Sequence, residues 1–524
     1  MRPNRTSKMK YTTITKILPA LVFAFGMTSC NDYLDVEPDT EVDSKQLFSS
    51  EAGFADALSG VYVEMTGDNL YGKNLTWYML ELMGGNSTCM YGNNANYMMF
   101  SFHPDASYYM ESLRNSDVDP IWNKEYNAIA NINSALSVID EKQGVFQGTD
   151  YNVMKGELLG LRAFLHFDVM RLFADAYSSD SYSAEKTYIP YVTELTSNVH
   201  PLLTNDQVCE LMLKDLEEAR ELLKSDPMYT QEDPSEYVCS TVTGSSYYRK
   251  QYGIKSWHNR RFHFNYYAAL ATEARIYLWM GNKTKALELA KEVIDAKEGT
   301  FTWVNSTLVS NVTSSSDYVC RDRTFATEQI FALNIKTLED KMDGYILENE
   351  NSFNGSNGYI EGFNPDVFDA NTRQFDIRYA YLKNVYSYYG HDFYLTTKFK
   401  KDKDTYNYSP WAANRMPLIR ISEMYYIAAE CEPDLTKATA YLEEVRKHRG
   451  LESYPLTISS REQLQDEIEK EYYKEMIGEG QTFYMNKRLN QAVTGSGAYQ
   501  SYTTQPNLFT LPMPDDEKTY GGRE

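Results

Sequence analysis

Two stretches of this chain are written as helical hairpins, and they commit its fold to a helical scaffold. Residues 264–280 and 283–296 repeat apolar positions at spacings of three and four, and Gly281-Asn282 separates them. Glycine suits a helix C-terminus because it enters the left-handed region without strain. Ala268, Ala269, Ala271 and Ala274 leave room for a neighbouring helix, and Ala286 and Ala290 answer from the second helix. A second pair is expected at 418–431 and 435–449, broken at Pro433.

Antiparallel pairs of about 34 residues with interlocking small and aromatic side chains resemble tetratricopeptide units. They do not follow one another in tandem, so a simple solenoid is not expected. Three more helices are legible. Residues 122–141 carry Trp122, Tyr126, Ile129, Ile132, Leu136 and Ile139 on one stripe. Residues 151–173 are apolar nearly all round, which predicts deep burial. Residues 205–224 have Glu-rich faces and Asn205 as the expected cap. Elsewhere the texture changes. Residues 67–110 and 300–417 are rich in Ser, Asn, Gly and Tyr, with short β-prone runs at 329–333 and 394–398. Long irregular stretches in a compact body usually carry function. The expected fold is mostly α: tetratricopeptide-like helix pairs forming a scaffold with a loop-rich, partly β ligand-binding face.

The N terminus carries a different signal. Arg2, Arg5, Lys8, Lys10 and Lys16 precede an apolar run from Ile17 to Met27, then Thr28, Ser29 and Cys30. A charged segment, a short apolar run and small residues make a signal peptide, and the run is too short to span a bilayer. A cysteine at the cleavage point looks like a bacterial lipobox, so Cys30 is the expected lipidation site. An ordinary secretory signal with a chance cysteine is the competing reading. Met9 is an alternative start to Met1. The expected division is a signal peptide at 1–29, a linker at 30–50 and a single body over 51–524.

Charge limits the partners. Removing the five basic residues of the signal from the 51 in the chain leaves 46 against 73 acidic residues, a net of −27. Nucleic acid is thereby excluded as a natural ligand, and an anionic membrane surface would repel the body, so the lipid must anchor it. Cys89, Cys209, Cys239, Cys320 and Cys431 form no C-x-x-C motif. Cys209 and Cys431 read as buried helix residues, and a Cys239–Cys320 bridge is conceivable.

No reaction motif stands out, and no cofactor or metal site is expected. Gly67 to Asn74 nearly spells a phosphate-binding loop, but Asn74 replaces the required Ser or Thr. Trp257, His258, Arg260, Arg261 and His263 form a basic cluster read as a loop that contacts a partner or ligand. His166 reads as a satisfied helix histidine, and Trp122 and Trp279 as core. The chain holds 44 tyrosines, a residue that suits both binding surfaces and cores. The expected ligand-facing aromatics are Trp77, Tyr78, Tyr91, Tyr97, Trp257, Tyr318 and Tyr359, all in loop-like segments. Core packing is the competing reading for each.

Several strings, in order, resemble the SusD/RagB family of lipid-anchored nutrient-binding proteins of the Bacteroidetes outer membrane. They are Cys30 to Pro38, Glu157 to Phe173 with Asp175-Ala176-Tyr177 and Ile189 to Glu194, Asn265 to Ile294, Pro417 to Glu430 with Val445 to Leu451, Glu471 to Arg488, and Leu511 to Pro514 with Glu517. Lys470-Glu471, Asn486 and Leu442 depart from common family residues and put local salt bridges in doubt. The resemblance implies four helix pairs and a loop-rich ligand site; the lack of any reaction motif is what leads us to expect no enzymatic activity. The resemblance also implies a surface protein that hands a large nutrient, usually a polysaccharide or oligosaccharide, to a TonB-dependent, SusC-like transporter in the outer membrane. Peptide or another non-sugar nutrient is the alternative, and a surface hydrolase a further one.

Overall fold

The computed structural model describes residues 46–88, 114–196, 198–230, 260–306, 309, 322–342, 361–363, 367–388, 391–399, 414–496, 501–503 and 509–523. Leu47–Glu524 forms one compact unit. The described helices are α1 (Glu51–Met65), α2 (Met79–Met83), α3 (Asp119–Ile139), α4 (Asp150–Phe173), α5 (Asn205–Leu223), α6 (Tyr266–Trp279), α7 (Lys283–Ile294), α8 (Ile421–Cys431), α9 (Leu435–Arg446), α10 (Arg461–Glu475) and α11 (Gln481–Leu489), with shorter turns between. The strands are β1 (Ser87–Thr88), β2 (Thr187–Ile189), β3 (Leu203–Thr204), β4 (Gln329–Asn334), β5 (Glu361–Phe363), β6 (Leu382–Tyr388), β7 (His391–Thr396), β8 (Arg415–Arg420), β9 (Thr494–Ser496) and β10 (Ser501–Thr503).

The helices pack as a continuous array. α1 lies against α3, α3 against α4, α4 against α5, α5 against α6, α6 against α7, α7 against α8 and α8 against α9. The contact of α7 with α8 closes across the long loop-rich segment between them. Pairs separated along the chain are therefore neighbours in space, and the array grows as a repeat protein does. At its centre α4 buries nearly every side chain from Val153 to Phe173. Gly160 makes this possible, since a Cβ there would meet the Phe264 ring at 2.1 Å. Trp122 and Trp279 lie in the core, as expected. Cys209 and Cys431 are buried free thiols. Cys89, Cys239 and Cys320 lie outside the described residues, as does the signal region with Cys30.

Caps fix the helix starts. Asn265 accepts from Ala268 N, Asn282 from Lys285 N and Asp434 from Lys437 N. The start of α5 differs from expectation. Thr204 is the cap, in a reciprocal box with Gln207, while the Asn205 amide donates to the Asp175 carbonyl at 2.8 Å. Residues 418–420 also differ: they are strand, not helix. β8 pairs antiparallel with β4, placing Ile419 opposite Phe331 and Met416 opposite Leu333. Pro417 does not bar a helix from 418, since proline is tolerated in a first turn, and the ladder with β4 decides the conformation. The principal sheet runs β1-β5-β7-β6, built on the β6–β7 hairpin.

Candidate ligand-binding face

The loop-rich part is bolted to the scaffold by buried charge. Glu475, near the end of α10, receives Arg449 Nη2 at 2.6 Å, Arg449 Nε and Arg378 Nη1 at 3.0 Å, and Arg420 Nη1. Arg378 also holds Glu471 at 2.6 Å and Asp376 at 2.7 Å. Arg449 continues to Glu328 at 2.6 Å, and Glu479 joins Arg420 to Lys398. Arg378, Arg420 and Arg449 have no exposed side-chain surface. Burying these ions costs free energy that only near-complete pairing repays. Burial alone would raise the Glu475 carboxyl, but Arg449, Arg420 and Arg378 outweigh it and hold it well below the ordinary carboxylate range.

This geometry ties the β6–β7 hairpin to the scaffold. Arg378 lies immediately before β6, Lys398 immediately after β7 and Glu328 immediately before β4. All three meet charged residues on or beside α9 and α10. The roots of the hairpin are therefore rigid. β6 and β7 pair from Leu382↔Thr396 to Tyr388↔His391, with one register shift between Asn384 and Tyr386, after which Tyr386 pairs with Phe393. The aromatic content of this hairpin was not singled out from sequence, although alternating Tyr386 and Tyr388 before Gly390 is a hairpin signal. Beside its root Phe375 is 45% exposed and stacks on Tyr454, with ring centroids 5.0 Å apart at 26°. Gly450, at φ 88°, lets the Phe375 carbonyl approach to where a Cβ would stand 2.3 Å away.

A second hub shapes the start of the chain. Gly478 and Gly480 adopt positive φ and donate their amides to Glu81 of α2, at 2.8 and 3.3 Å. A Cβ on Gly480 would meet the Leu75 carbonyl at 2.4 Å. Burial dominates Glu81 and pushes its carboxyl up to about 7 despite these bonds.

The expected ligand-facing aromatics divide. Trp77 is only 2% exposed, its indole donates to the Gly72 carbonyl at 3.0 Å, and its ring meets Tyr78 edge-on. Tyr78 is also buried, with the Lys73 ammonium 4.1 Å from its ring centre. Neither ring is offered to solvent, so the reading of Trp77 and Tyr78 as ligand-facing is corrected. The cause is that residues 67–78 fold as successive turns whose amides bond within the segment, which lets a polar stretch enter the core. Tyr91, Tyr97, Trp257, Tyr318 and Tyr359 lie outside the described residues.

Of the basic cluster, Trp257 and His258 lie outside the described residues, and the reading is corrected for Arg260, Arg261 and His263. Arg260 is fully buried and binds Glu157 and Asp226, each at 2.6 Å. Arg261 donates to the Thr300 and Gln329 carbonyls, and His263 bonds Glu157 at 2.7 Å. These residues join α4 to the start of α6 instead of meeting a partner. His166 is a satisfied core histidine: it bonds the Arg162 carbonyl through Nδ1 and accepts from Val192 N through Nε2. Burial takes its pKa down to about 3. Glu471 lies inside the ion network, and Asn486 bonds the Gly84 carbonyl and Tyr473. Among the described residues no group of three His, Cys, Asp or Glu side chains is placed to hold a metal, and no helix is long and apolar enough to cross a membrane.

Two family models match in succession. Residues 32–236 match a SusD-like model described as starch-binding and associating with the outer membrane, and residues 273–516 match the SusD family model. The chain belongs to the SusD/RagB family. SusD-like protein P2 of Formosa agariphila is 22% identical over 95% of this chain and 96% of its own length. A SusD superfamily protein of Bacteroides thetaiotaomicron, 22% identical, shares the fold with a TM-score of 0.65 over 90% of this chain and 98% of its own. Another from Bacteroides vulgatus, 21% identical, gives 0.64 over 90% and 97%. The mostly helical SusD-like architecture expected from sequence is thus present.

Proposed function

We propose that this SusD-like protein is a cell-surface lipoprotein of the outer membrane that binds a large glycan and delivers it to a TonB-dependent transporter. The observation that carries the reading is the match to a family described as starch-binding and associating with the outer membrane, on a helical scaffold to which the ends of the β6–β7 region are tied by buried ion pairs. A pre-formed face limits the ordering cost of binding a long polymer. Sugar C–H faces pack on aromatic rings while Asn and Asp bond the hydroxyls. Trp257, Tyr91, Tyr97, Tyr318 and Tyr359 remain the proposed contacts, and no catalytic residue is proposed. Peptide or another non-sugar nutrient is the alternative ligand on the same scaffold.

A glycan array probed with the soluble body, followed by titration calorimetry, tests the reading. Saturable binding of a neutral glycan without release of reducing ends is the expected result. Peptide binding alone, or turnover that one carboxylate substitution abolishes, would overturn it. Anchoring has its own check. Cys30→Ala is expected to abolish acyl labelling and move the protein from the membrane to the soluble fraction. Full membrane retention of a cleaved, unlabelled variant would contradict the anchor.

A further inference from the structure

Phe375 and Tyr454 form an aromatic pair at the surface of the body. Phe375 ends the short turn Arg373–Phe375, and Tyr454 follows the turn Lys447–Leu451. Their rings stack with centroids 5.0 Å apart at 26°. Tyr454 thus covers one face of the Phe375 ring, and Phe375 is still 45% exposed, so its other face meets solvent.

A single exposed apolar side chain is ordinary on a protein surface. This pair is held from both sides. Phe375 N donates to the Thr372 carbonyl at 2.9 Å, and the Phe375 carbonyl packs against Gly450. The next residue, Asp376, is buried with its two oxygens on Arg378, at 2.9 and 2.7 Å. Tyr454 N donates to the Leu451 carbonyl at 2.9 Å, and the Tyr454 carbonyl accepts from Arg446 Nη2 at 2.8 Å. Arg446 and Arg378 share Glu471, at 2.7 and 2.6 Å, so both rings are mounted on one buried ion network. A flat apolar surface fixed in this way loses little conformational entropy when a ligand lies on it.

The rim selects the ligand. Asn371 and Gln374 are exposed on the stretch that carries Phe375, and among the described residues their side chains have no hydrogen-bond partner. Arg373 has the Tyr379 ring 5.3 Å from its guanidinium carbon and, among the described residues, no carboxylate. The amides offer donors and acceptors, and the guanidinium offers donors. A pyranose matches this set, with a C–H-rich face for the ring and hydroxyls that both donate and accept. An aliphatic side chain of a peptide would cover the ring and leave the amides unused. Asp369 and Glu452, exposed on the same two turns, disfavour an anionic polymer.

We propose that Phe375, backed by Tyr454, is a stacking subsite for a neutral sugar ring, with Asn371, Arg373 and Gln374 bonding the hydroxyls around it. This subsite presupposes the glycan-binding function proposed above.

Maltoheptaose, cellohexaose, xylohexaose and mannohexaose are the probes, titrated calorimetrically into the full-length protein in detergent. Phe375→Ala is expected to weaken the binding seen with wild type at least about fivefold. Phe375→Leu keeps apolar bulk without a ring, should the alanine variant fold poorly, and is expected to bind as weakly. Phe375→Tyr keeps the ring and should bind as wild type does. Crystals soaked in the tightest-binding probe should show a pyranose against the open face of Phe375. Equal binding by wild type and a folded Phe375→Ala or Phe375→Leu variant would overturn the subsite and leave glycan binding standing. Wild type that binds none of the probes would overturn the subsite, and a blank glycan array as well would overturn the glycan-binding function. A peptide that binds wild type and loses affinity in Phe375→Leu, with no oligosaccharide bound, would make the pair a peptide site and also overturn the proposal.

Discussion

Replacing Glu475 with alanine is expected to destabilise the fold by roughly 3–5 kcal/mol, the usual cost of stripping one partner from a buried ion pair. Three guanidiniums, Arg378, Arg420 and Arg449, share this carboxylate. Arg378 keeps Glu471 and Asp376, Arg420 keeps Glu479, and Arg449 keeps Glu328. None can reach water without displacing its neighbours, because all three are fully buried. Glu475→Gln keeps the volume and an acceptor and should cost less than alanine while still losing the charge. Urea denaturation at neutral pH gives the magnitude. Hydrogen exchange gives the location: residues 377–399 should lose protection before α6 does. A loss below about 1 kcal/mol, or uniform loosening of the whole body, would mean that the network does not anchor the β6–β7 region.

That network also shows why the scaffold was legible in the sequence and the face was not. α4, α6 and α7 are written in local periodicity, and each begins and ends near where its pattern does. Glu475 carries no such mark. It is one of 73 acidic residues, and its partners lie 26, 55 and 97 positions away. Spacing along a chain cannot nominate pairs that only the tertiary fold brings together. The Arg260-Arg261 run misled for the same reason: its partners Glu157 and Asp226 are remote in sequence, so a buried clamp looked like a solvent-facing basic patch.

Trp77 illustrates the opposite difficulty. Its neighbours are polar and lack helical period, which reads as surface loop. Yet turns that satisfy their own amides can be buried, and Tyr71 of the same segment sends its hydroxyl to Asp168 inside the core at 2.6 Å. Composition reports the absence of a helix but not the presence of solvent. At 418–420 a helical pattern was over-extended because Leu418 and Ile419 are apolar in either conformation. Only pairing with β4 distinguishes them. Of the expected ligand-facing aromatics, the two that the structure describes are core.

Between about pH 3 and 7, stability should be greatest at about pH 4.5–5.5 and fall on both sides for different reasons, whereas above that range Lys487 and Lys398, depressed chiefly by burial, add stability as pH rises. On the alkaline side the governing groups are buried carboxyls whose pKa values are raised. Burial, outweighing its two amide donors, takes Glu81 to about 7, and burial, only partly offset by Arg220, takes Glu273 to about 7. Such a group holds its proton more tightly when folded, so its contribution is full below the unfolded value near 4.5 and is lost as pH rises through 7. Each is worth on the order of 3 kcal/mol across that window. His166 opposes them. Buried and depressed to about 3, it must lose stability as pH falls below its unfolded value near 6.5. Two carboxyls against one imidazole leave stability rising as pH drops from 7 towards 5. Below about 4.5 the sign reverses. Burial alone would raise Glu157, but Arg260 and His263 outweigh it and hold the carboxyl at about 2. Arg378 leads the cations that do the same for Glu471, as Arg449 does for Glu475. Depressed carboxyls contribute fully above their unfolded pKa and lose that contribution as pH falls towards the folded one. With several of them and His166 all moving the same way, the acid limb should be steep. Urea midpoints measured from about pH 3 to 7 trace both limbs. Glu81→Gln, which has no proton to lose, should flatten the alkaline limb and leave the acid limb unchanged. Stability that rises steadily from about pH 5 to 7, or a limb between those values that Glu81→Gln does not alter, would contradict this assignment.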